Sequence, residues 1–425
     1  MSSNNILVLG AGLAGAGLAR NCPGARIFEA AGEPGGYAQS HEFAGAWFDW
    51  GAHLCHSRDE QWLALVLNHA PLHEMPKSTV LNYKAGHWFA YPVQNHLADL
   101  PAADCRAALD GFLEAQEKYR GREPANYEEW CRFQYGDFLV ENFYRLYTAK
   151  YWHTPMADLA TDWLGGRLLP GQVENILAGA RGTQEEKQAV FNRFRYPETG
   201  GFFALVRHLF DGLSIATNKR AVRVDSARRR VEFADGSMED YDTLASTIPL
   251  PHLVQLLPDA PESVQDAAAR LRTLRHACVN FVVKRADLSI ANWFYVYDPD
   301  VPVSRVSFPY SLSGERNGKT AIQAETFFPE HATLSESGVL EKTIADMARL
   351  LNFRATEIEA AEICCKSVSY VVSTLERAAA VAHIREWLLE RHIFTAGLFG
   401  DWAYIWSDRS YASGAALGKK LRDER

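Results

Sequence analysis

The hydrophobic pattern begins with four bulky apolar residues at 6–9, which give way to a run of glycine and alanine as far as Ala19. A short apolar block closed by glycine predicts a buried parallel strand, and the composition of 13–20 predicts the helix that follows it. Between 61 and about 193 the period changes. Apolar residues there recur at threes and fours over 62–68, 102–120, 127–143 and 168–180, which predicts an inserted helical unit. Pro92, Pro101, Pro124, Pro155 and Pro170 fall at its helix boundaries, each disfavouring helical geometry in the residue before it. The polar stretch 179–188 reads as an exposed mobile loop.

Beyond it an aromatic strand runs through Pro197 to Gly200-Gly201 and into a helix. Residues 216–224 and 229–234 alternate as strands do, Asp235-Gly236 signals a hairpin turn, and 242–250 ends a buried strand at Pro249. The β-branched and aromatic content of 278–284, 293–297 and 321–328 predicts a sheet that roofs a pocket, followed by a helix over 337–351. The tail predicts a strand, a glycine turn and a small-residue helix from about Ser407. There is no internal repeat, heptad run or low-complexity segment.

Bulk composition narrows the picture. A chain of 425 residues exceeds what one core usually serves, so two or three structural units are expected. The net charge of -8 provides no cationic field, which argues against nucleic acid and anionic lipid as partners and requires any phosphate to be gripped locally. Seven cysteines, an odd number without CxxC spacing, read as reduced thiols. No charged-then-apolar leader precedes the first strand, and no apolar run nears the roughly 20 residues of a membrane helix. The expectation is a cytoplasmic protein without membrane insertion.

Gly10, Gly12 and Gly15 stand as Gly-x-Gly-x-x-Gly between the predicted strand and helix. The first permits a tight turn, the second lets a pyrophosphate approach the backbone, and the third lets helix pack on strand. Amides of the turn, with those of Leu13 and Ala14, then meet a diphosphate at the positive end of the helix dipole, without a lysine. Glu29, closing the next strand, is the acidic residue that such a site uses for ribose hydroxyls. A dinucleotide follows, with NAD and FAD both open.

Gly35-Gly36 and the segment Phe48-Asp-Trp-Gly-Ala-His53 come next. Glu29 followed by Gly-Gly and then by Asp-x-Gly-x-His resembles the flavoprotein family of amine oxidases, protoporphyrinogen oxidases and UDP-galactopyranose mutases. The resemblance covers nearly the whole chain, is strongest over 6–56, and implies FAD. It implies an α/β fold: a Rossmann-type FAD-binding domain from 1–75, 198–275 and 385–425, a helical substrate or lid domain over 76–197, and an antiparallel sheet substrate domain over 276–384. FAD contacts carried over from the family are Gly10, Gly12, Leu13, Ala14, Gly15, Glu29, Ala30, Gly35, Gly36, Tyr37, His53, Val222, Gly397 and Ser407.

The run Tyr147-Thr-Ala-Lys-Tyr-Trp152 resembles the mutase motif whose tyrosine and tryptophan bound a nucleotide-sugar pocket. Arg305 resembles the mutase arginine that grips the substrate diphosphate, a task suited to a planar, bidentate guanidinium. Arg181 is the candidate for a second such arginine, with Arg193 and Arg195 as rivals. Tyr404 matches a tyrosine beside the diphosphate, and His53 a histidine beside the flavin ring, although Ala52 stands where the family has proline. Two departures are visible: Leu398 follows Gly397 where the family has Gly-Arg, and Tyr404-Ile405-Trp406 replaces Tyr-Tyr-Asp.

The mutase resemblance implies that pyranose and furanose forms of a UDP-galactose-like substrate interconvert through a sugar adduct at N5 of reduced flavin, with Arg305, Arg181, His53 and Tyr404 as the residues serving it. An FAD-dependent oxidase or desaturase is the alternative, and a flavin-holding protein without turnover a third. A homodimer belongs to the same expectation. His53, Cys55 and His56 lack the spacing of a metal set, no metal is expected, and no Gly-x-Ser-x-Gly elbow suggests a hydrolase.

Overall fold

A computed structural model describes residues 5–75, 78–183 and 194–424. Its first layer is a five-stranded parallel sheet in the order Ile393–Thr395, Thr243–Ser246, Ile6–Leu9, Arg26–Phe28, Ser214–Ala216. The opening apolar block is fully buried because helices cover one face and a three-stranded sheet (Ala221–Asp225, Arg230–Phe233, Met238–Asp240) with further helices covers the other. Helix Leu13–Asn21 leaves that strand and packs against the C-terminal helix Ser407–Asp423. The approach is close: a Cβ added to Gly414 would sit 1.9 Å from the carbonyl oxygen of Ala14, so no larger residue fits.

A second, seven-stranded sheet forms the roof, in the order Ile358–Lys366, Leu274–Val283, Thr320–Pro329, Arg305–Ser307, Trp293–Val296, Val80–Lys84, His87–Ala90. Its neighbours are antiparallel except Trp293–Val296 with Val80–Lys84, which run parallel. The hairpin of Val80–Lys84 and His87–Ala90, expected within the helical insertion, pairs into this sheet instead. Its alternating, aromatic-rich sequence suits a half-buried pleat better than a helix face.

The helices of the insertion are Ala102–Lys118, Tyr127–Leu139, Arg145–Trp152 and Val173–Arg181. Asn126 caps the second, accepting a hydrogen bond from the amide of Glu129. A single helix over 127–143 was the expectation. Instead a π-helical turn, Val140–Tyr144, leads into Arg145–Trp152 and re-aims the aromatic motif, as such turns often do at functional sites. A hydrophobic cluster including Phe112, Tyr135, Phe143, Tyr151, Trp152 and Phe327 binds these helices to the roof. The strand Ile358–Lys366 and the helix Arg377–Leu389 carry no periodicity that had marked them in the sequence.

Candidate active site

One cavity of about 680 Å3 runs from the glycine turn, under the roof sheet, to the aromatic helix Arg145–Trp152. At the turn, Gly15 faces the first strand so closely that a Cβ would lie 2.2 Å from the carbonyl oxygen of Gly10. Gly12, the residue before the helix, has the opposite surroundings: no atom lies within 4 Å of where its Cβ would be, and it faces the cavity. The first amides of a helix have no intrahelical carbonyl to bond. The turn is therefore a bare backbone cradle with donors facing space, and a dinucleotide diphosphate fits it on those grounds. Glu29 lines the same end, its carboxylate accepting from the amides of Ala11 (2.7 Å) and Ala31 (2.8 Å).

The Asp-x-Gly-x-His segment is fixed by its aspartate. Asp49 is buried and accepts from Ser40 Oγ (2.5 Å), Tyr196 Oη (2.8 Å) and the amide of Phe202 (2.9 Å). Burial raises its carboxyl above the usual range against the opposing pull of His53 and these donors. The hairpin is thereby tied to helix Gly201–Val206, and His53 is held on the cavity wall with its Nδ1 2.9 Å from the carbonyl oxygen of Gly51.

Arg305 reaches the cavity from the roof. It sits opposite Glu325 in the strand register, and its Nε and Nη2 donate to the two carboxylate oxygens at 2.6 and 2.8 Å. Glu325 is fully buried and is shared with His276, whose Nε2 lies 3.2 Å away. Burial alone would raise the Glu325 carboxyl; Arg305 and His276 overcome it and hold the group well below the usual carboxylate range. Gly51 permits the arrangement, since a Cβ there would come within 2.5 Å of Glu325 Oε2. The pair uses one edge of the guanidinium, leaving the edge with Nη1 outside the Glu325 pairing.

Tyr147, Tyr151 and Trp152 form the facing wall. Tyr147 and Tyr151 stack at 5.4 Å, Trp152 meets Tyr404 edge-on at 5.2 Å, and the hydroxyls of Tyr151 and Tyr404 are 3.2 Å apart. Tyr370, between Tyr151 and Tyr404, completes the cluster. Burial keeps the phenols of Tyr147 and Tyr151 protonated, well above their usual range. This end is a cage of aromatic rings that lines the cavity.

Of the arginines expected beside Arg305, the two that lie in the described residues do not line the cavity. Arg181 ends its helix exposed and off the cavity wall, and Arg195 turns to Glu74 at 3.2 Å. Arg193 and residues 184–188 of the expected loop lie outside the described residues. Arg167 occupies the cavity instead, sandwiched over the rings of Tyr404 (4.2 Å) and Trp406 (4.5 Å). Its Nη1 donates to the carbonyl of Trp163, while Nε and Nη2 are buried without a hydrogen-bond partner among the described residues. Buried guanidinium N–H groups without partners are costly, and an anion in the cavity would satisfy them. The signal available in the sequence was Gly165-Gly166-Arg167, a tight turn handing a cation to a point just beyond the aromatic motif.

Among the cofactor residues, Gly10, Gly12, Leu13, Ala14, Glu29, Gly35, Gly36, Tyr37, Gly397 and Ser407 line the cavity. Gly15 supports it from beneath, and Ala30 is exposed beside it. Val222 is 48% exposed and off the wall; Arg220, two residues earlier, lines it. Among the described residues no helix is long and apolar enough to cross a membrane.

Residues 11–377 match the model of the flavin containing amine oxidoreductase family. The whole chain is similar to a reduced UDP-galactopyranose mutase, with 21% identity over 95% of that chain and a TM-score of 0.90. It is also similar to a putative protoporphyrinogen oxidase from Exiguobacterium sp. 255-15, at 19% identity over 100% of both chains and a TM-score of 0.76. A CLA-producing fatty acid isomerase from P. acnes aligns over 99% of each chain at 14% identity, with a TM-score of 0.67. At such identities the structures speak for the fold, while the family match spans most of the sequence and agrees with the backbone cradle: the chain belongs to the flavin containing amine oxidoreductase family, enzymes built around a flavin.

Proposed function

We propose that the protein is an FAD-dependent mutase that interconverts pyranose and furanose forms of a nucleotide-activated sugar of the UDP-galactose type. The observation that carries this reading is the pairing, in one cavity, of a cofactor cradle with two guanidinium groups set in a tyrosine cage. A protonated amine would be repelled by two guanidinium groups facing one space. A substrate diphosphate is attracted instead, because it carries two negative charges, and it is the leaving group when the anomeric bond breaks.

Reduced flavin, when bound, supplies an electron-rich nitrogen to the anomeric centre. The chain's own residues do the remaining work. Arg167 and the free edge of Arg305 bind the diphosphate as charge builds on it, already oriented by Tyr404, Trp406 and Glu325, so little reorganisation accompanies the step. The cage of Tyr147, Tyr151, Trp152, Tyr370 and Tyr404 positions the nucleotide and keeps water from the reacting sugar. His53, held by the carbonyl of Gly51, lines the wall nearest the hairpin, where it would border the bound cofactor.

The family description and the oxidase-like structural relative favour a net redox enzyme as the second reading. One experiment separates the two. Chemically reduced protein, held under argon, is given UDP-galactose, and nucleotide sugars and reductant are followed together. The mutase reading predicts a furanose product with no reductant consumed; no new nucleotide sugar, together with reduction of the oxidised flavin by an amine or porphyrinogen in a parallel sample, overturns it.

A further inference from the structure

At the outer edge of the roof sheet, three side chains of different ligand chemistry converge. Glu362 and Cys364 lie two apart on Ile358–Lys366 and so share one face of the pleat. Among the described residues that strand ends the sheet, with no outer neighbour. His41 comes from the strand Ser40–Phe43, which packs its hairpin against this face. Its Nε2 lies 2.6 Å from Glu362 Oε1 and 3.9 Å from Cys364 Sγ. One ligand atom from each residue falls within 4.8 Å of the others.

The set is selective by type. An imidazole nitrogen, a thiol sulfur and a carboxylate oxygen together suit zinc and cations of similar softness, and suit magnesium or calcium poorly. Bonds of about 2.0–2.3 Å in a tetrahedral site separate ligand atoms by roughly 3.3–3.8 Å. The 3.9 Å gap is already close to that, and the 2.6 Å gap needs to open by less than about 1 Å, within reach of a small imidazole rotation. Asn280, opposite Glu362 in the register, donates Nδ2 to Glu362 Oε1 at 3.0 Å and fixes the carboxylate from behind. All three ligands are half-buried, which leaves a fourth position open to solvent. Lys366, next on the same face, holds its ammonium 3.9 Å from the Trp50 ring.

We propose that His41, Glu362 and Cys364 form a three-ligand site for a zinc-class divalent cation, distinct from the cofactor cavity, whose wall includes none of the three. On uptake the Cys364 thiol proton leaves to solvent and the thiolate and carboxylate balance the dication. The ion then staples the hairpin Ser40–Asp49 to the edge of the roof sheet, from which the chain runs on into the cavity wall at Trp50 and His53.

The test uses full-length, flavin-loaded protein stripped with a chelator and titrated with Co2+, then with Zn2+. The expected result is one equivalent of Co2+ with the intense tetrahedral d–d bands in the red, beyond flavin absorption, and their loss on adding Zn2+. Cys364→Ser and His41→Ala should each weaken uptake by about tenfold or more, whereas Cys365→Ser, on the opposite face of the strand, should leave it unchanged. Should either variant fail to fold, Glu362→Gln, which keeps an acceptor for His41 and Asn280, serves in its place with the same expected loss. Absence of stoichiometric uptake, or equal uptake by wild type and the ligand variants, overturns the proposal and leaves a His41–Glu362 hydrogen bond closing the hairpin.

Discussion

The two ends of the cavity are built on opposite principles. At the cradle, one stretch of chain supplies a turn, a helix start and an acidic strand end, and the groups that face the ligand are uncharged amides. At the far end, charged and aromatic side chains arrive from five separate places: the helix Arg145–Trp152, the turn at Arg167, the roof strand with Arg305, Tyr370, and the segment Tyr404–Trp406. An acidic protein can hold phosphate by either means. The cradle has no room for a side chain at Gly10 or Gly15 and leaves Gly12 bare toward the cavity; the far end depends on partners that keep its cations in place.

The strongest way to break this contrast lies in the roof. Glu325→Ala leaves Arg305 and His276 buried without their shared carboxylate, and is expected to cost about 3–5 kcal/mol in urea unfolding. Glu325→Gln, which keeps one acceptor, should cost less. Equal stability of both variants and wild type would mean that Arg305 needs no partner to hold its place.

Gly12→Val probes the other end. The residue has φ -83° and ψ -172°, a conformation valine adopts readily, and nothing lies within 4 Å of its Cβ position. The flavin-free protein should therefore melt as the wild type does, while flavin affinity drops by at least about 100-fold, or roughly 2.7 kcal/mol. Normal flavin content in the purified variant would remove the diphosphate from the turn.

A pH experiment addresses the helix that carries the aromatic wall. Lys150 is half-buried, its Nζ donating to the carbonyls of Val296 (2.7 Å) and Asp298 (3.2 Å), and desolvation of the ammonium brings its pKa down from 10.5 to about 7. Between those values the unfolded chain binds a proton that the folded one does not. Stability should therefore rise with pH across that window, by at most about 1.4 kcal/mol per unit, and the penalty is complete below about pH 7. Lys150→Met should flatten the rise; an unchanged slope would assign it to other groups.

The smallest effect is expected of Tyr404→Phe. It removes one hydroxyl contact to Tyr151 while leaving the ring over which Arg167 stacks, so nucleotide affinity should fall by about 0.5–1.5 kcal/mol. A larger loss would mean that the hydroxyl itself touches the ligand.

The same contrast explains what could be read from the sequence. Gly10, Gly12, Gly15 and Glu29 were legible because their chemistry is set by neighbours within twenty residues, and the buried strand declared itself in four apolar letters. Arg305 was singled out only through resemblance; nothing local distinguishes it from a surface arginine, and its place on the cavity wall depends on the register that brings Glu325 opposite. Arg167 was not singled out for the same reason. Its place in the cavity comes from Tyr404 and Trp406, more than two hundred positions away, and no periodicity in 160–170 announces that meeting. The hairpin Val80–Ala90 was drawn into the helical insertion because flanking helices set the expectation, while its pairing with Trp293–Val296 is a tertiary fact.

The central claim is that cofactor and substrate diphosphate are held by separate devices in one cavity. The most direct measurement is a titration of the reduced, FAD-loaded protein with UDP, followed by flavin fluorescence, for wild type and Arg167→Ala. The account predicts that UDP affinity falls by about 1.5–3 kcal/mol in the variant while FAD affinity stays as it was. Unchanged UDP binding, or loss of both ligands together, would contradict it.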